Sequence, residues 1–335
     1  MTGVRLAPGI LPAAILGAWV TMGFAGELPK QALAQANTAL QAGRADEALA
    51  LLKHIPNPGA GQSEANNLEC RVLYSLEQWN GAVEACEQAV KLDPENSNYH
   101  LWLGRALGEK ANNASFLSAF SIAKRVREEF EEAVRLNPRN SDALADLGNF
   151  YRSAPGIVGG GLDKAERIAR QLDSVDAARA DELRGQMAEE RKDWGAAERE
   201  YKLAITVSAH PAFRWTTLAD FYRRRQQWTQ MEDAVQGCVS AAERDKGAGV
   251  PRFDLASLLL DANRDLPLAA KMLEEYLAGP AKTEEAPAFL AFTRLAQVDQ
   301  RMGDLAGAKR EQAEALALAR EYRPAQDLSI KETGH

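Results

Sequence analysis

The chain has 335 residues, with 40 Lys and Arg against 47 Asp and Glu, a net charge of −7, and 46% hydrophobic but only 7% aromatic residues. The acidic balance argues against a nucleic-acid binder, which shows a basic excess, and an alanine-rich, aromatic-poor composition suits closely packed helices better than a β-sandwich. The length fits two ordinary domains or one extended repeat array.

Residues 1–25 read as a leader. Arg5 gives a positive start, residues 10–24 (ILPAAILGAWVTMGF) are apolar and uncharged, and Gly23 and Ala25 hold the −3 and −1 places of a cleavage site. That is the three-part pattern of a secretory signal peptide. The run is short for a spanning helix, which takes about 20 residues, and Pro8 and Pro12 interrupt its start. The expectation is an exported chain, periplasmic or secreted, with no integral membrane span once the leader is cleaved.

From residue 31 onward no run alternates apolar and polar residues as a half-buried strand does. Amphipathic helical windows follow one another with short breaks. The first unit, 31–60, ends in GRADEALALLKHI (43–55), and the second, 63–96, in EQWNGAVEACEQAVKLDP (77–94). The third, 97–140, holds the polar stretch EKANNASFLSAFSIAKRVREEF, and the fourth, 141–174, the turn SAPGIVGGG (153–161). The fifth, 178–211, contains KDWGAAEREYKLAI (192–205), and the sixth, 212–245, contains QQWTQMEDAVQGCV (226–239). The seventh spans 250–283, and the eighth, 288–322, contains GDLAGAKREQAEALALA (303–319), before a polar tail at 323–335.

These phrases resemble the second helix of the tetratricopeptide repeat, a 34-residue helix–turn–helix whose first helix reads W-x-x-L-G-x-x-Y. Trp215, Leu218, Ala219 and Tyr222 fill that pattern, Leu144, Leu147, Gly148 and Tyr151 fill it again, and His100, Leu103, Gly104 and Leu107 give a weaker copy. Pro94 and Pro138 stand at the closing proline. The resemblance covers about residues 31–322. It implies an all-α fold, a right-handed α-solenoid superhelix of about eight tetratricopeptide-like hairpins, in which small residues let paired helices approach and units stack to bury their apolar faces. Taking Ala48, Ala82, Val126, Ala165, Ala197, Met231, Ala269 and Ala308 as second-helix anchors, the spacings are 34, 44, 39, 32, 34, 38 and 39 residues. The third unit therefore carries an insertion that lengthens its helices or adds a short one, and the fourth a longer turn. The tail after Tyr322 reads as frayed and polar, leaving an uncapped final hairpin through which the chain would self-associate.

Nothing in the sequence assembles a catalytic site. The four histidines, His54, His100, His210 and His335, have no metal-ligand spacing, no G-x-S-x-G elbow exists, and no cofactor is expected. Gly156 and Gly161 fit G-x-x-x-x-G, but Leu162 and Asp163 stand where a phosphate loop needs Lys and Ser or Thr. Gly156, Gly159, Gly160 and Gly161 are left as a wide turn or an anion-binding nest. Cys70 and Cys86 fall on the two helices of one hairpin; they form a disulfide in an oxidising compartment, or stay as buried small hydrophobes. Cys238 repeats the small-residue role and is expected buried and free.

In the family that the chain resembles, first helices line a concave groove that takes extended peptides or helices. The repeat frame puts Asn67, Arg71, Asn98, Arg105, Asn149 and Arg152 on that face, a donor stripe fit for a carboxylate or acidic peptide. Asp142 and Asp146 depart from the family's carboxylate clamp, and Glu182, Gln186, Glu189, Asp220, Asp254 and Asp261 turn the groove acidic further along. The function expected is a non-catalytic scaffold or adaptor of the cell envelope that binds a protein or peptide and no nucleic acid. The alternative is an accessory subunit of a transport system, capturing a small anion or carboxylate near the glycine turn and Arg105–Arg152.

Overall fold

The computed structural model describes residues 24–330 apart from 56–58, 60, 246 and 281. Residues 1–23 of the expected leader, and His335, lie outside the described residues. The rest is helical and falls into eight successive hairpins: α1 (Phe24–Gln41) with α2 (Ala45–Leu52), α3 (Gln62–Ser75) with α4 (Trp79–Leu92), α5 (Ser97–Asn112) with α6 (Phe116–Leu136), and α7 (Ser141–Ser153) with α8 (Leu162–Leu172). The second half pairs α9 (Ala177–Glu190) with α10 (Trp194–Val207), α11 (Pro211–Arg224) with α12 (Trp228–Arg244), α13 (Gly249–Ala262) with α14 (Leu266–Ala278), and α15 (Ala288–Met302) with α16 (Leu305–Leu318). A single turn of helix, α17 (Arg323–Gln326), follows. The chain is thus an all-helical solenoid of hairpins.

One local device makes most of the hairpin turns. A left-handed residue ends the first helix at Gly43, Glu77, Lys192, Gln226, Asn263 and Gly303. The next N–H then reaches back five residues to a helix carbonyl, as in Gln78 to Leu73 and Gln227 to Tyr222, both at 2.9 Å. This closes carbonyls that a helix end leaves open. Asp193, Asp265 and Asp304 then accept the N–H three residues on, capping α10, α14 and α16.

Packing follows the small-residue logic of the sequence. All eight second-helix anchors are buried. A Cβ on Gly104 would stand 2.5 Å from the Phe130 ring, and one on Gly148 would stand 2.5 Å from Leu183, so these first helices approach their neighbours as closely as a glycine allows. The insertion of the third unit lengthens both of its helices and adds none: α5 has 16 residues and α6 has 21.

The array closes on itself. Leu33, Leu40, Leu68 and Val72 of the first two hairpins share one apolar cluster with Phe289, Ala315, Tyr322 and Ala325 of the last. Phe289 and Tyr322 meet edge to face with centroids 4.8 Å apart. Arg320 pairs with Asp46 at 2.8 Å, and the Tyr322 hydroxyl donates to Glu77 at 3.3 Å. Gly43 lies against the backbone of Pro287 and Ala288, where a Cβ would fall 2.0 Å from the Ala288 nitrogen. The open apolar end expected after the last hairpin is therefore covered by the first, because burying both ends against each other removes the surface that an open solenoid exposes. The tail also departs from expectation: Gln312 donates to the carbonyls of Ala325 and Leu328, and Gln300 to that of Ser329, so the segment is tied down as far as Ser329.

Candidate binding channel

First helices pack on one another through α1, α3 and α5, through α7 and α9, and through α11, α13 and α15, forming the inner layer of the array. The channel that they border has an arginine end and a carboxylate end. At the arginine end, Arg71 and Arg105 flank the Trp102 ring, with guanidinium carbons 5.5 and 4.8 Å from its centroid. Tyr74 meets both Trp79 and Trp102 edge to face. These residues border a cavity of 390 Å³ whose far wall is Glu284, Glu285 and Pro287, from the loop between α14 and α15.

The donor stripe expected from the sequence is not free. Arg71 grips Glu284 with two parallel bonds, Nη2 to Oε1 at 2.6 Å and Nε to Oε2 at 2.7 Å. Arg105 Nε donates to Asp146 Oδ2 at 2.6 Å, and Arg152 donates to Glu190. Asp142 and Asp146, which break the family's clamp pattern, are thus partners of Arg179 and Arg105. The stripe is also split, since Arg152 borders a different cavity with Gln186, Glu189 and Trp194. Asn67 is buried, Asn98 accepts from Asn140 Nδ2 at 3.2 Å, and neither Asn67 Nδ2 nor Asn149 Oδ1 has a partner within the described chain. Spacing placed these residues on the right helices, but it could not show that the same face supplies their counter-charges.

At the other end the structure does bring the acidic positions together. Glu182, Gln186, Asp220, Asp254 and Asp261 border one cavity of 370 Å³. Glu182 accepts from Arg214 and from the Thr217 hydroxyl. Of the run Arg223–Arg225, the first two bond Asp220, Arg224 also reaches Glu189 at 2.8 Å, and Arg225 stacks on Trp194. Asp254 has no such counter-ion among the described residues. Burial, and Glu285 facing it across the channel, push its carboxyl up to about 7. Gln186 Oε1, Ser257 Oγ, Arg152 Nε and Arg214 Nε have no hydrogen-bond partner within the described chain. Side chains of this kind bordering a channel can recognise polar backbone or side chains of a bound segment; they do not assemble a nucleophile with a base.

The glycine turn is not an anion nest. Gly159, Gly160 and Gly161 donate their N–H groups to the carbonyls of Gly156, Pro155 and Tyr151, which leaves none of the three for a ligand. Gly160 is required by contact, as its Cβ would lie 1.8 Å from the Ala154 oxygen. Gly156 opens the single 3₁₀ turn Gly156–Val158, and Lys164 closes the loop by donating to the Gly159 carbonyl at 2.7 Å.

Cys70 and Cys86 are joined in a disulfide between α3 and α4, with Cα atoms 5.2 Å apart, and Cys238 is buried and free. His100 is a buried structural residue whose Nδ1 meets Glu129 at 2.6 Å and whose Nε2 meets the Pro94 carbonyl at 2.9 Å. Burial opposes its protonation, but these two acceptors outweigh it and raise its pKa. Among the described residues no group of His, Cys, Asp and Glu is arranged to hold a metal ion, and no helix is long and apolar enough to cross a membrane.

Sequence reasoning missed Glu284, Glu285, the aromatic set Tyr74, Trp79 and Trp102, and the channel arginines Arg179 and Arg214. One signal was present for the loop. The last two anchors stand 39 residues apart, five more than a standard repeat, and the surplus contains Thr283-Glu284-Glu285-Ala286-Pro287.

Compared with known proteins, residues 71–110 match the model of the family described as TPR repeat. No curated protein matches the chain. Among solved structures, it is similar to a thermophilic TPR protein of Thermus thermophilus, at 18% identity over 58% of this chain and 98% of that one, with a TM-score of 0.48. It is also similar to a tetratricopeptide repeat protein of Parabacteroides merdae, at 12% identity over 79% of this chain and 99% of that one, with a TM-score of 0.46.

Proposed function

We propose, from the premise that this chain is a tetratricopeptide-repeat protein and hence built as a protein–protein interaction scaffold, that its channel binds a polar segment of another protein of the cell envelope. The observation that carries this reading is that Arg152, Gln186, Arg214 and Ser257, on α7, α9, α11 and α13, line the channel cavities while each keeps one buried polar atom without a partner within the described chain. Buried polar groups are normally paired, and pairing them on binding recovers the free energy that they cost when left alone. An extended peptide offers alternating N–H and C=O groups at the spacing such a surface can meet.

Two features support export: the leader-like residues 1–25 and the Cys70–Cys86 disulfide, a bond that persists in oxidising compartments. N-terminal sequencing of the purified protein should find Gly26 as the first residue. Small-anion capture loses its support, because Arg105 and Arg152 already hold carboxylates and the glycine turn spends its N–H groups internally.

The test is site-specific photo-crosslinking in cells, with the crosslinker at Thr217 inside the channel and, in a second strain, at Lys202 on the outer face. One exported protein captured from position 217 and not from 202 is the expected result. Capture of the same set from both positions, or from neither, would sink the channel as the binding site.

A further inference from the structure

The loop between α14 and α15 has features that its connecting role does not need. Residues 282–287 enter the arginine end of the channel as a short turn with a bridge from Thr283 to Ala286. The buried hydroxyl of Tyr276 pins its base, donating to the Ala286 carbonyl and accepting from the Thr283 N–H. Its tip presents Glu284 to Arg71 in the forked geometry with which arginine recognises a carboxylate. Gln41 adds to that grip, accepting from the Glu284 N–H at 3.4 Å and donating to its Oε1 at 3.3 Å. Beside this carboxylate seat lies the aromatic cavity of Tyr74, Trp79 and Trp102.

We propose that residues 282–287 are an internal strap occupying a carboxylate seat, and that the partner's bound segment carries a carboxylate beside an apolar side chain, the first replacing Glu284 on Arg71 and the second resting on Trp79 and Trp102. This rests on the scaffold reading above and names the chemistry of its partner. Two observations make the strap exchangeable. The apolar cluster of Leu33, Leu40, Phe289 and Tyr322 joins the two ends without any part of Glu284, so the tip of the strap can leave while the seam stays packed. The Arg71–Glu284 pair is itself mostly shielded from water, with side chains 17% and 15% exposed, so its attraction is largely offset by desolvation and an equivalent carboxylate can take its place at little cost. The strap's local concentration, in the millimolar range for a short tether, keeps weak acidic segments out and admits those with the apolar contact as well.

The probe is a fluorescein-labelled synthetic peptide with the sequence of residues 282–290, KTEEAPAFL, titrated into the full chain and its variants. Glu284→Gln should bind it at least about tenfold more tightly than the parent, with quenching of tryptophan fluorescence. Arg71→Gln should bind it no better than the parent, since the seat itself is gone. The reversed pair Arg71→Glu with Glu284→Arg should restore the parent's melting temperature and reject the acidic peptide. Equal binding by the parent and Glu284→Gln, binding by neither, or tight binding by Arg71→Gln would overturn the strap and leave it a plain brace of the seam. Those outcomes leave the crosslinking from position 217 untouched, so the strap can fail while the scaffold reading stands.

Discussion

Among the contacts that close the array, the one at Gly43 is tight enough for a single methyl group to disrupt it. Gly43 sits at φ +70°, and a Cβ there would lie 2.0 Å from the Ala288 nitrogen, 2.8 Å from the Pro287 carbonyl carbon and 3.0 Å from the Ala288 Cα, all of them backbone. Gly43→Ala meets two costs. A left-handed alanine costs roughly 1 kcal/mol, and forcing a methyl into close-packed backbone costs about 1–3 kcal/mol more. Gly303 supplies the control: it has the same role in the last hairpin at φ +87°, with nothing within 4 Å of its would-be Cβ. Gly303→Ala should therefore show the conformational cost alone. Circular dichroism melts should place Gly43→Ala about 3–6 °C below the parent and Gly303→Ala about 1–2 °C below it, since a chain of this size shifts by only about 1.5 °C per kcal/mol. Hydrogen exchange should accelerate around Phe289 and Tyr322 in the first variant only. Equal melting of the two variants, with unchanged exchange at those residues, would refute the claim that the ends are packed together.

Lys192 adopts φ +60° at the turn between α9 and α10, so Lys192→Gly should stabilise the chain by about 0.5–1 kcal/mol; a loss of stability would show that the side chain matters more than the strain. The Cys70–Cys86 bond closes a loop with a sequence separation of 16, and Cys70→Ala with Cys86→Ala should cost about 3 kcal/mol in urea unfolding, with the parent under reductant falling to the same midpoint. Asp254 faces Glu285 from the strap loop, Arg179 and Asp176 by α9, Arg214 and Asp220 on α11, and Glu182 on α9, and is ion-paired to none of them among the described residues. Its raised pKa means that the fold favours the neutral carboxyl: that contribution is complete below the unfolded value near 4 and is lost as pH rises through about 7. Asp254→Asn should thus match the parent near pH 4 and exceed it at pH 8 by up to about 4 kcal/mol; a pH-independent difference would remove Asp254 as the cause.

The helical hairpins were legible because their cause is local. Apolar periodicity, a left-handed turn residue and small residues at the helix contacts all sit within one unit, and the anchors chosen from spacing, Ala48 to Ala308, are all buried. The channel was only half legible. Repeat phase put Arg71, Arg105 and Arg152 on first helices, yet what decides their chemistry is Glu284, Asp146 and Glu190, which lie 213, 41 and 38 residues away in sequence. Closure was invisible for the same reason. Whether unit eight meets unit one depends on small rotations summed over every hairpin, including the lengthened α6 and the wide turn at 153–161, and no window of sequence contains that sum.

The meeting of the two ends also makes the order of the repeats a matter of where the chain happens to be cut. Because α1 and α2 lie beside α15, α16 and α17, a short flexible linker joining the termini should be accepted, and new termini should be tolerated in an exposed turn such as the one around Asn113. A circular permutant opened there would present the same arginine and carboxylate ends to the channel. Adding or removing one hairpin should pull α1 away from α15 and α16 and expose the apolar cluster that they share, so closure makes the number of repeats part of the fold.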